Sequence, residues 1–310
     1  MASELEQLND GNRKVKYMNL KTIESHEALT ASECMLKHGL NWRVQKASVF
    51  VDGKRQNNMV AIKREDTDQA FQIASERYEP IQNADAFSFF DEITKTGQAK
   101  YVSAGQYRGG GVIWLRAKLP CDFEVLPGDS LKTYLKIVTS HDGSQRLAIY
   151  PEVYRQICSN GMHALVKQHA KSVSVKHTEN ASVRFLFNAK QVLADEIAYF
   201  TRFSEACRIM AKKDMDRLAI DSFLYELFET DSKEAETKTL NQMSAIKTLA
   251  LRSGIGLEIP GVKGTAWAVY NGVTEFVDNY KPTKGDNRDY SADFGTGADM
   301  RERAFALLTR

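Results

Sequence analysis

Val112-Ile113-Trp114-Leu115-Arg116-Ala117-Lys118-Leu119 and Leu131-Lys132-Thr133-Tyr134-Leu135-Lys136-Ile137 decide how this chain is read. Side chains alternate across a strand. In the first run Trp114, Arg116 and Lys118 share one face, and Ile113, Leu115, Ala117 and Leu119 share the other. In the second, Lys132, Tyr134 and Lys136 oppose Leu131, Thr133, Leu135 and Ile137. Two such strands side by side make a sheet that is aliphatic on one side and basic-aromatic on the other. Two readings of the second side are open. It is the solvated face that an antiparallel sheet ordinarily shows, or it holds a nucleic-acid strand, with cations on phosphates and rings on bases.

Working outward, Tyr101 to Tyr107 leads through Arg108-Gly109-Gly110-Gly111, a hairpin-type connection, into the first run. Leu147 to Tyr150 returns antiparallel after the turn at His141-Asp142-Gly143. Upstream, Val44 to Val51 and Met59 to Lys63 read as strands joined by a turn at Asp52-Gly53 and a polar loop. Thr30-Ala31-Ser32-Glu33 is a capping box. Asn83 opens a helix expected to run to about Thr94. Ser172 to Thr178 and Val183 to Phe187 read as short strands, and residues 152 to 170 are ambiguous. Downstream, helices are expected at Ala189 to Lys212, Met215 to Phe228, Leu240 to Ser253, Thr265 to Tyr280 and Ala298 to Leu308, with Lys281 to Gly297 as a mobile loop. The expected class is α+β, an antiparallel sheet core in the middle of the chain with a helical C-terminal part packed on it. The expected divisions are a flexible 1–20, a mixed part 21–187 and a helical part 188–310.

The 310 residues are 43% hydrophobic and 26% charged, with a formal net charge of +2. That composition builds a sizeable core and gives no global attraction to nucleic acid or an anionic membrane. Any basic site must be local. No apolar run approaches the roughly 18 to 20 residues of a membrane span, and Met1 to Lys16 has no apolar signal core. Cys34, Cys121, Cys158 and Cys207 are far apart, as expected of free thiols in a reducing cytoplasm.

The glycines 109 to 111 are not a phosphate loop, since the GxxxxGK[ST] spacing is missing. Tyr107 and Arg108 beside them can reach a ligand. Ser140-His141-Asp142-Gly143 cannot be a Ser-His-Asp triad, because consecutive residues do not converge; it reads as a self-capping turn. The separations of His163, His169 and His177 match no metal motif, and Cys158 reads as a structural thiol. Arg146, Arg155, Lys167, Lys171, Lys176 and Arg184 make the stretch 146–184 locally basic.

Several of these pieces resemble a known set. Ser140-His141-Asp142-Gly143-Ser144, Val153-Tyr154-Arg155-Gln156-Ile157-Cys158-Ser159-Asn160-Gly161, Val175-Lys176-His177-Thr178, Trp267-Ala268-Val269-Tyr270-Asn271 and the closing helix from Gly297 to Leu308 are similar to the "phage/plasmid-like protein" family, a domain of unknown function. Gly161-Met162 stands where a threonine-leucine type pair is expected, so the chain looks like a divergent member. The resemblance implies a phage, prophage or plasmid setting. It brings no catalytic residue.

The resulting expectation is a cytoplasmic single-stranded DNA-binding protein, of the kind that anneals strands in recombination or replication and works as a homo-oligomer. Tyr107, Arg108, Trp114, Arg116, Lys118, Lys132, Tyr134, Lys136, Arg155, Lys171 and Lys176 are the candidate contacts. No metal or cofactor is expected. The alternatives are an interaction protein acting on a phage or host partner, and a metal-dependent nuclease centred on His141, Asp142 and His177.

Overall fold

The computed structural model describes residues 30–88, 91, 94, 99–157, 174–175, 189–283 and 288–310, with 174–175 and 189–197 described by backbone alone. The architecture is α+β. Helix α1 (Ala31–Lys37) starts on the expected box: Thr30 Oγ1 accepts from Glu33 N, and the Glu33 carboxylate accepts from Thr30 N. Strands β1 (Val44–Val51), β2 (Lys54–Arg64) and β3 (Ala70–Ser75) form an antiparallel sheet in that order. The polar residues after Gly53, read from the sequence as a loop, are strand, and β3 was not expected at all. The helix at Asn83, α2, is assigned over Asn83–Phe87.

The larger sheet contains β4 (Lys100–Tyr107), β5 (Val112–Lys118), β6 (Phe123–Leu126), β7 (Asp129–Ser140), β8 (Leu147–Arg155) and β9 (Ser174–Val175). Its order is β4-β5-β7-β8-β9, with β6 paired to β7, and every pair is antiparallel. Strand β8 therefore runs through the beginning of the stretch that the sequence left ambiguous. Among the described residues β9 pairs with it at Leu147 and Ala148, short of Pro151. Opposite β9, beyond that point, no described ladder needs the missing N–H.

Register puts Arg116 beside Lys136, and Lys136 beside Tyr150. On the other face Ile113, Leu115, Leu135, Ile137, Ile149 and Val153 join one apolar cluster with Trp42 and Phe87 from the front of the chain and Phe203, Trp267 and Phe305 from the helices. Burial of this aliphatic face is the main force holding sheet and helices together.

The helical part comprises α3 (Ala189–Lys212), α4 (Arg217–Phe228), α5 (Thr237–Thr248), α6 (Ala266–Glu275), α7 (Arg288–Phe294) and α8 (Thr296–Leu308), with π-helical turns at Leu249–Ser253 and Phe276–Tyr280. Helix α7 lies inside the stretch 281–297 expected to be a loop. Among the described residues no helix is long and apolar enough to cross a membrane.

Candidate functional site

The basic-aromatic face exists as the alternation dictates, but it is covered. Arg116 is 2% exposed and Lys136 1%. Arg116 donates through Nε to Glu152 Oε2, through Nη2 to the Tyr154 hydroxyl at 2.7 Å, and through Nη1 to Ser103 Oγ at 3.3 Å. Its guanidinium lies 4.9 Å from the ring centres of both Trp114 and Tyr154. Trp114 lies flat across Gly105, where a Cβ would meet the indole at 2.6 Å. Lys136 Nζ pairs with Glu152 Oε1 at 3.2 Å and with Asp293 of α7, and it donates to the Tyr107 hydroxyl at 3.1 Å. Tyr107 in turn donates to Asp293. The Lys136 ammonium is 4.7 Å from the Trp114 ring centre.

This cluster holds two cations and two carboxylates, so it is formally neutral. A low-dielectric setting strengthens such pairs and equally penalises any member left alone. Burial works against the charge on Arg116, yet Glu152 beside it outweighs that and raises its pKa. Burial pushes the Tyr107 and Tyr154 phenols well above their ordinary range, with Asp293 adding to the effect at Tyr107. Tyr150 is pushed up to about 12, also by burial. Tyr134, expected to stack a base, instead packs edge-on against Tyr154 at 5.4 Å.

Arg155, another expected phosphate contact, is buried elsewhere. It grips both oxygens of buried Asp129 at 2.5 Å and donates to the carbonyls of Ile255 at 2.8 Å and Gly256 at 3.4 Å. Trp267 Nε1 donates to the same carboxylate at 2.8 Å, and Asn271 Nδ2 donates to the Trp267 carbonyl at 2.7 Å. Arg155, Asp129 and Trp267 thus clamp the sheet to α6, while the Asn271 bond stays within that helix. Gly256 has φ +85, and a Cβ there would sit 2.5 Å from Arg155 Nη1.

Ser140, His141 and Asp142 point to different partners. Ser140 Oγ donates to Gln145 O at 2.9 Å, and His141 Nε2 meets Asn83 Oδ1 at 2.8 Å. Asp142 accepts from Ser144 N at 2.9 Å and pairs with Arg108 at 3.0 Å. The expected self-capping turn is what forms, closed at Gly143, whose φ is +73. Among the described residues no three His, Cys, Asp or Glu side chains are grouped to hold a metal ion.

The remaining candidates divide by exposure. Arg108 is exposed; Lys118 is half-buried and pairs with Asp122 at 3.0 Å; Lys132 is half-buried with no carboxylate partner among the described residues. Cys158, Asn160, Lys171, Lys176 and His177 lie outside the described residues.

A basic-aromatic surface that is open lies on the first sheet. From Ser48 to Met59 no residue is buried, so this end of the β1–β2 hairpin projects from the body. Phe50 is 62% and Val51 53% exposed. Lys54 and Arg55, across the Asp52-Gly53 turn, are exposed and have no carboxylate partner among the described residues. Sequence reasoning missed this surface because the polar run 54–58 has no apolar alternation. It also missed Glu152 and Tyr154, which the alternation Tyr150, Glu152, Tyr154 would have shown once β8 was carried past Tyr150. Asp293 had no such signal.

Residues 70–294 match the family model described as Domain of unknown function (DUF932), more than two thirds of the chain. The chain belongs to the DUF932 family. No curated protein and no solved structure matches it. The DUF932 match spans β3 to α7 and so includes the whole buried cluster, the Arg155 clamp and the Ser140 to Gly143 turn.

Proposed function

We propose that this DUF932 protein binds single-stranded nucleic acid and, as an oligomer in the cytoplasm of a bacterial host, pairs strands during recombination or replication of a phage or plasmid. The observation that carries the reading is the projecting hairpin. On one face of it exposed Phe50 stands beside its cross-strand partner Arg55, and on the other exposed Val51 stands beside Lys54, so each face sets apolar surface for a base next to a cation with no carboxylate partner among the described residues. Lys132 is half-buried, and Arg108 is exposed but engaged with Asp142 and the Tyr290 ring. The buried cluster argues against Arg116, Lys136 and Arg155 as contacts in this conformation.

Fluorescence anisotropy with labelled single-stranded and duplex oligonucleotides across a salt series tests it. The triple variant F50A/K54E/R55E should bind a single strand at least about tenfold more weakly, given roughly 1–3 kcal/mol for one stacked base. Its log-log salt slope should fall by about 1.4, roughly 0.7 for each lost phosphate contact. Equal affinity of the variant and the wild type would refute the hairpin as the site.

A second reading has its own observation. Met59 is 50% and Ile73 63% exposed. They share a face, because Ala61 pairs with Ile73 and Met59 lies two residues along from Ala61. Strand β3 is one of the two edges of its sheet among the described residues. An apolar patch beside an unpaired edge is what a protein partner adds to. Loss of self-association or partner capture in I73E, with oligonucleotide binding intact, would favour this interaction role.

A further inference from the structure

Helix α7 closes the polar face of the larger sheet through side chains. Among the described residues no backbone hydrogen bond joins it to a strand. It brings one carboxylate and two rings. Asp293 accepts from Lys136 and from the Tyr107 hydroxyl. The Phe294 ring lies 5.3 Å from that of Tyr150 and 6.3 Å from that of Tyr107. Tyr290 stands 5.8 Å from Tyr107, accepts from Gln145 Nε2 at 3.0 Å and lies under Arg108 at 4.9 Å. An anion seated between an ammonium and a hydroxyl, with rings packed on an aromatic floor beside it, has the chemistry of one nucleotide phosphate with its neighbouring bases.

We infer that α7 is a displaceable occupant of a second single-strand-binding face. A strand's phosphate takes the place of Asp293, and its bases take the places of Phe294 and Tyr290. Without α7 the face retains Arg116 and Lys136 against Glu152 alone, an excess of one positive charge over the rings of Tyr107, Trp114 and Tyr150. Exchange of one anion for another leaves no cation buried and unpaired, so the ligand itself supplies the differential affinity that opening requires. Helix α7 has seven residues, fewer than the roughly 12–15 an isolated helix needs. It is held by these contacts and, on its other side, by Arg301, which donates to the Ala292 carbonyl at 2.8 Å, by its own Arg288, which donates to the Asn279 carbonyl, and by the burial of Ala292. The inference rests on the nucleic-acid reading above but concerns a different face.

The test uses the full chain and a labelled oligothymidine. Asp293→Asn keeps the shape and removes the charge. It should tighten binding about fivefold or more, and the gain should persist when F50A/K54E/R55E is added. In the wild type, saturating oligothymidine should speed amide exchange across residues 288–294. Binding that leaves exchange there unchanged or slowed overturns the inference. So does a hairpin variant that abolishes binding in both Asp293 backgrounds, while leaving the hairpin reading intact. No binding by any of these proteins overturns both. If Asp293→Asn does not fold, Phe294→Leu replaces it with the same expected gain.

Discussion

Lys136 and Asp293, 157 residues apart in sequence, meet inside the protein as an ion pair on the polar face of the central sheet. The cations that alternation places on one side of β5 and β7 are thereby neutralised by the chain itself. Glu152 supplies one carboxylate from within the sheet and α7 supplies the other. This layer joins strands to helices a second time, opposite the aliphatic cluster.

Glu152 serves both Arg116 and Lys136, so Glu152→Gln leaves two buried cations short of charge. Breaking a buried pair from one side costs about 3–5 kcal/mol. Urea denaturation should show a loss of that order. The double variant R116M/E152M should lose less than either single change, since it removes charge along with its partner. A loss below about 1 kcal/mol for Glu152→Gln would show that the pairs do not form as described.

Asp129→Asn should be comparably harmful. It weakens the two-pronged grip on Arg155 and removes charge from the group that accepts the Trp267 indole N–H. Trp267 is fully buried, and with the other two tryptophans, Trp42 and Trp114, replaced by Phe in the background, its emission reports on the clamp. A red shift accompanying lower stability is expected; unchanged emission would contradict the contact.

At Gly256 the left-handed backbone and the crowding by Arg155 act together. Gly256→Ala should cost about 1–3 kcal/mol. Gly53→Ala, at a similarly positive φ but in open space, should cost less. The difference between the two measures the crowding by Ile157 and Arg155 together, and equal losses would show that only backbone strain matters.

Alkaline pH should unfold the protein through its buried phenols. Tyr150 titrates near 12 when folded, against about 10 for an unfolded tyrosine. A raised folded pKa means that the native state holds its proton more tightly. The contribution is complete below pH 10 and is lost as pH rises from 10 through 12. Tyr107 and Tyr154 shift in the same direction. Melting temperature should therefore fall steeply across that window, together with the rise in tyrosinate absorbance. A melting temperature that does not change between pH 10 and 12 would rule out their burial.

Much of this was legible in the sequence. Alternation located β5, β7 and most of β4, Thr30 and Glu33 marked α1, and consecutive Ser140, His141 and Asp142 announced a turn. Alternation says which residues share a face but not what lies over it, and Asp293 sits in a polar stretch with no apolar period. Val44 to Val51 and the turn at Asp52-Gly53 were legible too, but the start of β2, residues 54–58, was not, for the opposite reason. A strand exposed on both sides has no hydrophobic pattern to read. The partners of Arg155 at Ile255 and Gly256 are backbone carbonyls, which any residue supplies.

The distance along the chain from Lys136 to Asp293 also sets an order of events during synthesis. At roughly 5–20 residues per second, the ribosome takes about 8 to 30 s to make the 157 residues that separate them. Once β8 has been made and until α7 follows, Arg116 and Lys136 have Glu152 without Asp293, a net positive face on the growing chain. Codon usage between β7 and α7 would then control how long an unfinished chain remains a polyanion-binding surface, and with it the yield of correctly closed protein.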